Sequence, residues 1–341
     1  MLDTKKTSAE QELVSIAVSG ITFLSAREKL LLYNSIASVD EMSKMSVNDI
    51  SNVVGRKVLS RSWDGNSIPA SARRSRAIMH TFDIKYVTVM SENYPDGLQN
   101  IADKPFSIFY RGNFDILKNP CVGVVGSRLL TPDGRRETID FSKSAADKGF
   151  TVVSGLASGA DSAAHVGALK SDSGRTVAVL PSGIDTIVPA GNKSIAAAII
   201  KRGCLLSEYP PGTPPLNWRF VQRNRIIAGL SSDIVIVQAP PASGSLITAD
   251  FAIDYGRELY VLKSSFEKKA LSVAMMKKNK IEAAKVAGTR KYTRKVKSIC
   301  EYISEDGVPV IDDFNDFLKC KLEAPGERFF DVSEFIKFFE I

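Results

Sequence analysis

The chain has 341 residues, 44% hydrophobic and 24% charged, with a formal net charge of +7, enough material for one large domain or two to three smaller ones. No apolar run approaches the roughly 18 residues that span a bilayer, and the opening MLDTKKTSAEQ has no apolar signal core, so a soluble cytoplasmic protein with no membrane partner is expected. Four scattered cysteines without C-x-x-C spacing and only two histidines point to buried thiols, with no metal site, disulfide framework or bound cofactor.

From about Leu13 to His80 short apolar groups such as Ile21, Phe23 and Leu24 alternate with polar turns, which predicts a small helical domain over 1–82. Arg56, Lys57, Arg61, Arg73, Arg74 and Arg76 make its later part basic, a pattern read chiefly as a solvated helix face. Two apolar runs, 84–90 and 105–110, flank Tyr94-Pro95 and predict strands joined by a turn. From Cys121 onward, Val- and Ile-rich runs at 121–125, 150–153, 176–180, 204–206, 233–239 and 258–262 alternate with helical stretches near 133–148, 160–170, 192–202, 219–229 and 245–255. Such runs belong to a parallel sheet covered on both faces, so 83–263 reads as a doubly wound, Rossmann-like α/β domain. Thr131-Pro132 supplies a helix cap and a first-turn proline, and Gly149 and Gly203 supply helix stops. Beyond Ser264 the strand-helix alternation is expected to end. Residues 263–298 carry twelve basic and two acidic side chains, and 299–341 carry four basic and eleven acidic. That block, 264–341, is expected to be a charged extension, poorly ordered or folded on itself, and separable from the core.

In an open parallel sheet, ligands bind where the carboxyl ends of strands meet helix N-termini. Gly126-Ser127-Arg128 follows the first strand of the α/β domain: the glycine allows close approach, the serine donates, and the guanidinium fork matches a phosphate. The next strand ends in Ser154-Gly155-Leu156-Ala157-Ser158-Gly159, ahead of Asp161 and His165. Asp161 reads equally as a helix-start acid, and His165 equally as a packed histidine. Arg223-Asn224-Arg225 and the small-residue turn Ser243-Gly244-Ser245, with Thr248 one turn on, complete the candidates. Neither G-x-G-x-x-G nor a Walker lysine is present, so nicotinamide and ATP sites are not supported.

The ordered pattern V-G-V-V-G-S-R (122–128), S-G-L-A-S-G-A-D-S-A-A-H (154–165), S-E-Y-P-P-G (207–212), R-N-R-I-I-A-G-L-S (223–231) and S-G-S-L-I-T-A (243–249) resembles the DNA-processing protein A (DprA/Smf) family over roughly residues 84–262. The resemblance implies a sterile-alpha-motif-like N-terminal domain and binding of single-stranded DNA without strong sequence preference. It also implies protection of that DNA in natural transformation and recombination, loading of the RecA recombinase, a homodimer, and no catalysis. It places the DNA pocket on Gly126, Ser127, Arg128, Ser154, Gly155, Ser158, Asn192, Arg223, Asn224, Arg225, Ser243, Ser245 and Thr248. Departures are Ser158, where the family often has a basic residue; Gln238, where an acid is common; and Leu262-Lys263 in place of proline-glycine. The family's winged-helix-like C-terminal domain is therefore not expected. The competing reading is a LOG-like nucleoside monophosphate phosphoribohydrolase, whose P-G-G-x-G-T-x-x-E motif supplies a catalytic glutamate. Here the corresponding turn, 241–248, carries no carboxylate.

Overall fold

The computed structural model describes residues 8–60, 63–286, 297–323 and 330–332. In chain order these form α1 (Ser8–Ser19), α2 (Ala26–Ser35), α3 (Val39–Ser43), α4 (Val47–Val54), α5 (Ile68–Phe82), β1 (Lys85–Thr88), α6 (Asp96–Gln99), β2 (Ser107–Gly112), β3 (Cys121–Gly126), α7 (Pro132–Asp147) and β4 (Thr151–Ser154). There follow α8 (Ala160–Lys170), β5 (Thr176–Val179), α9 (Lys193–Arg202), β6 (Cys204–Ser207), α10 (Asn217–Leu230), β7 (Asp233–Val237), α11 (Gly244–Asp254), β8 (Glu258–Leu262), α12 (Lys268–Val286), α13 (Ile299–Asp306), β9 (Val310–Ile311) and α14 (Phe314–Cys320). The chain divides into two compact units. One gathers Met1–Arg111, Leu180–Ile187 and Leu205–Phe220, and the other Gly112–Val179, Val188–Cys204 and Val221–Ile341. The boundaries thus differ from those drawn on the sequence: 83–111 and two later loops group with the N-terminal helices.

In the first unit, polar caps set the short helices. Ser25 accepts from the Glu28 amide while the Glu28 carboxylate accepts from the Ser25 amide, and Ser46 and Asp49 repeat the arrangement at α4. The helices bury Leu13, Val14, Ile16, Val18, Leu32, Met42 and Ile50. Arg56 is paired with Glu28 and Arg73 with Asp40, so these two cations of the basic run serve helix-to-helix surface pairs; Arg61 lies outside the described residues. β1 and β2 pair antiparallel, Lys85 opposite Tyr110 through Thr88 opposite Ser107, and β6 lies beside β2.

In the second unit the strand order is β5-β4-β3-β7-β8-β9, every pairing parallel. Its central strands are buried on both faces, which is why their sequences run apolar instead of alternating. From β3 the chain winds outward through β4 to β5, whereas β7 and β8 lie on the other side of β3. The order therefore reverses between β3 and β7, the place where open α/β sheets hold ligands. Thr131 caps α7 by accepting from the Gly134 amide at 3.0 Å.

The C-terminal block corrects the expectation of a separable extension. β9 extends the sheet, with Val310 opposite Val261 and Ile311 opposite Leu262. Phe314 and Phe317 of α14 enter the core against Phe141, Phe150 and Tyr260, with ring centroids 4.8–6.1 Å apart. Lys321 pairs with the fully buried Asp233 of β7. Charge counting missed this because it passed over the apolar residues spaced along the segment, among them Ile299, Tyr302, Ile303, Ile311, Phe314 and Phe317, which are buried.

Candidate functional site

Three loops meet at the reversal point, after β4, β3 and β7. They are stitched together by main-chain bonds: the Ser127 amide donates to Val237 O at 3.0 Å, and the Ala160 amide donates to Ser127 O at 2.9 Å. Glycine is required where they touch. A Cβ on Gly126 would lie 2.0 Å from Val237 O, and one on Gly159, whose φ is +82°, would lie 2.2 Å from Ser127 O and 2.7 Å from Arg128 Cα. The tips Arg128, Leu129, Ser158 and Gly244 face solvent.

Beneath the tips lies a buried polar layer. Arg223, Asn224 and Arg225 of α10 are only 4%, 8% and 5% exposed, so they are interior residues and not a surface basic face. The Arg223 guanidinium occupies the space a side chain at Gly155 would fill, its Nη1 falling 1.2 Å from an ideal Cβ there. It lies 3.9 Å from the Asp161 carboxylate, which also accepts from the Ala157 amide at 3.3 Å. Burial raises the Asp161 pKa above its ordinary value, and the Arg223 charge opposes that rise. His165 is fully buried, and burial, helped by Arg223, drives its pKa down to about 3, so the ring is neutral. Thr176 donates its hydroxyl proton to Val152 O at 2.8 Å, so its oxygen accepts from His165 Nδ1–H at 2.7 Å, which assigns the tautomer. Asn224 Nδ2 donates to Gly244 O at 2.9 Å and ties α10 to the turn after β7; Asn192 Nδ2 donates to Leu156 O at 2.9 Å and braces the loop after β4.

The serines are largely committed within the protein. Ser127 Oγ donates to Leu129 O at 2.8 Å and Ser154 Oγ to Val124 O at 2.7 Å, while Ser243 caps α11 and shares a 2.7 Å bond with the Ser245 hydroxyl. Thr248 is buried and its hydroxyl has no hydrogen-bond partner among the described residues. All thirteen candidates therefore lie in the second unit around one sheet edge, but Arg128 is the exposed cation among them. His165 is packed as read, but only its Nδ1 is satisfied, Nε2 having no hydrogen-bond partner among the described residues, and Asp161 is more than a helix-start acid.

Two features escaped the sequence reading. Leu156, Gln238 and Ala242 hold left-handed φ values of 58°, 47° and 55° without being glycine, a backbone cost of order 1–3 kcal/mol each that clusters in these loops. Gln238 is a clamp. Its Oε1 accepts from the Thr131 amide at 2.9 Å, and its Nε2 donates to Thr131 Oγ1 at 2.8 Å and Ser264 O at 3.0 Å. The acid common at this position could not make the last two bonds, which explains the amide. The polar residue at the end of β7 was visible in the sequence; its partners, a hundred residues upstream, were not.

A family model described as DNA recombination-mediator protein A matches residues 85–297, spanning all three loops and α10. The chain belongs to this family. A DNA processing protein DprA from Streptococcus pneumoniae is 40% identical over 178 residues, 52% of this chain and 62% of that protein. The matched segments span 46% to 62% of the first curated relatives, DprA and Smf proteins. The solved S. pneumoniae DprA has a TM-score of 0.64 at 27% identity, covering 92% of this chain and 98% of that one. DNA processing protein A from Helicobacter pylori, solved to describe its single-stranded DNA binding mode, has a TM-score of 0.55 at 26% identity over 70% of this chain and 96% of that one. Among the described residues no helix is long and apolar enough to cross a membrane, and no cluster of potential metal ligands occurs.

Proposed function

We propose that this family member binds single-stranded DNA along the β4-β3-β7 edge, protects it, and loads the RecA recombinase in transformation and recombination, acting in the cytoplasm as a homodimer. The observation that carries the reading is the exposed Arg128 on a turn held by main-chain bonds to both flanking loops, over a layer of buried cations and amides. Such a turn offers a phosphate a bidentate fork on a backbone already tied to its neighbours. Gly126, Ser127, Gly155 and Ser158 shape the binding surface, while Ser154, Asn192, Arg223, Asn224, Arg225, Ser243, Ser245 and Thr248 support it from below. The description of the H. pylori relative agrees with this substrate class.

The decisive experiment is a fluorescence titration with labelled single- and double-stranded oligonucleotides. Tighter binding of the single strand, weakening with salt, is expected; equal or absent binding overturns the reading. We also propose that the protein is no enzyme, because the turn after β7 carries no carboxylate. Incubation with nucleoside monophosphates should release no free base, and turnover abolished by mutating that turn would overturn this point.

A further inference from the structure

The basic block 263–298 has entered the site so far only through the Ser264 carbonyl, and its described portion is anchored directly on that site. Residues ahead of α12 are bound to the end of β7 and the turn after β3: the Gln238 amide donates to Ser265 Oγ at 2.9 Å, and Thr131 Oγ1 donates to the Glu267 carboxylate at 3.1 Å. Ala270, Leu271 and Ala274 then line a small cavity with Gln238, Ala239, Pro240 and Pro241, so this face of α12 covers the loop after β7. Lys277 continues the same face at the i+3 and i+7 positions from Ala274 and Ala270.

Lys277 is half-buried at this edge. Burial, and after it the positive charge of Arg128, hold its proton affinity below the ordinary lysine value. Lys277 and Arg128, 149 positions apart in sequence, thus stand on two segments tied together by the Thr131–Glu267 bond, at the same side of the candidate site as the loop that α12 covers. The only acids in 263–298 are Glu267, bound by Thr131, and Glu282, 3.8 Å from Lys278. Neither serves Lys277. On the other side of the Arg128 turn, Ser158 is uncharged. A like-charge pair that is partly withdrawn from water costs folding energy, and an anion placed between the two cations reverses the sign of that cost.

We propose that Lys277 and Arg128 together hold one backbone phosphate of the bound single strand, so that α12 forms one wall of the DNA path. This rests on the proposed single-strand binding and adds a residue outside the glycine turns. Lys277 acts as a compact, rotatable point charge beside the planar fork of Arg128. The occupant is a phosphodiester backbone, because two neighbouring cations are neutralised by an anion, whereas a base edge carries no net charge.

The test uses the full chain and a fluorescein-labelled oligothymidylate, titrated at several salt concentrations. Lys277→Gln should weaken binding roughly three- to ten-fold and lower the slope of log affinity against log salt by about 0.7. Lys277→Arg should retain most of the affinity. The double variant Arg128→Ala/Lys277→Gln should lose less than the product of the single losses, because the two side chains share one phosphate. The melting temperature of Lys277→Gln should equal or exceed that of the unmodified protein, since a repulsion is relieved; a fall in melting temperature with unchanged affinity would show a merely structural lysine. If the unmodified protein binds with an Arg128-dependent slope and Lys277→Gln leaves affinity and slope unchanged, the inference fails while the single-strand reading stands. If the unmodified protein does not bind the oligonucleotide, both fall.

Discussion

Arg128 and Arg223 belong to neighbouring motifs of the same sheet edge, yet they occupy opposite environments. Arg128 stands at an exposed tip, whereas Arg223 is 4% exposed, lies against Gly155 and faces Asp161. The contrast teaches that a glycine turn with a recurring basic residue has two layers, one that meets the ligand and one that keeps the turn in shape. Substitutions should separate them, the lower layer through stability and the upper through binding.

The largest expected effect is in the lower layer. Arg223→Ala leaves the Asp161 carboxylate buried without its cation and should cost about 3 kcal/mol of unfolding free energy, measured by urea denaturation. A loss of binding without a loss of stability would move Arg223 to the upper layer and break the comparison. Gly126→Ala comes next. Its Cβ meets the Val237 carbonyl of a paired strand, which cannot turn aside, so a loss of about 1–3 kcal/mol is expected. Gly244→Ala, with nothing within 4 Å of the added atom, should stay within about 0.5 kcal/mol.

Arg128→Ala should leave the protein folded and lower the salt slope of single-strand binding by about 0.7 for each phosphate that the guanidinium neutralises, with any sequence preference intact. Arg128→Lys should restore only part of the affinity, since the charge returns without the fork. Unaltered affinity and slope in a folded Arg128→Ala protein would remove the upper layer altogether.

A further test of the comparison is a pH dependence confined to the lower layer. The folded pKa of His165, about 3, lies below its ordinary 6.5, so the stability tied to its neutral form is complete above pH 6.5. It is lost as pH falls from there toward 3, by at most about 1.4 kcal/mol per pH unit. Asp161 runs the other way, because its folded pKa is raised: its contribution is present below its ordinary 3.8 and lost as pH rises through the folded value. Calorimetry of His165→Asn beside the unmodified protein isolates the histidine. Between pH 7 and pH 4.5 the unmodified protein should lose more melting temperature than the variant, and parallel curves would show that His165 does not titrate with unfolding.

Legibility followed the range of the interaction. All eight apolar runs between 84 and 262 are strands; from β3 to β7 the run is unbroken because both faces are buried, and that is a local property. β9, two residues long, sits in the apolar run Val308-Pro309-Val310-Ile311, whose proline argues against a strand. Its strand character comes from pairing with β8, and α14 is held by Phe314 and Phe317, whose partners Phe141, Phe150 and Tyr260 lie up to 176 positions away.

The candidate residues were readable as types, since glycines permit close approach and arginines match phosphates wherever they occur. Their division into layers was not, because burial is a sum over neighbours from distant segments. Arg128 and Arg223 differ in what surrounds them and not in what they are. The chain order alone dictated the α/β alternation, the helix caps and the glycine turns, each specified by residues within a few positions of one another. Folding alone brought β3 beside β7, laid Arg223 against Gly155 and matched Gln238 to Thr131, because each of these rests on the strand order and on helices packed across it.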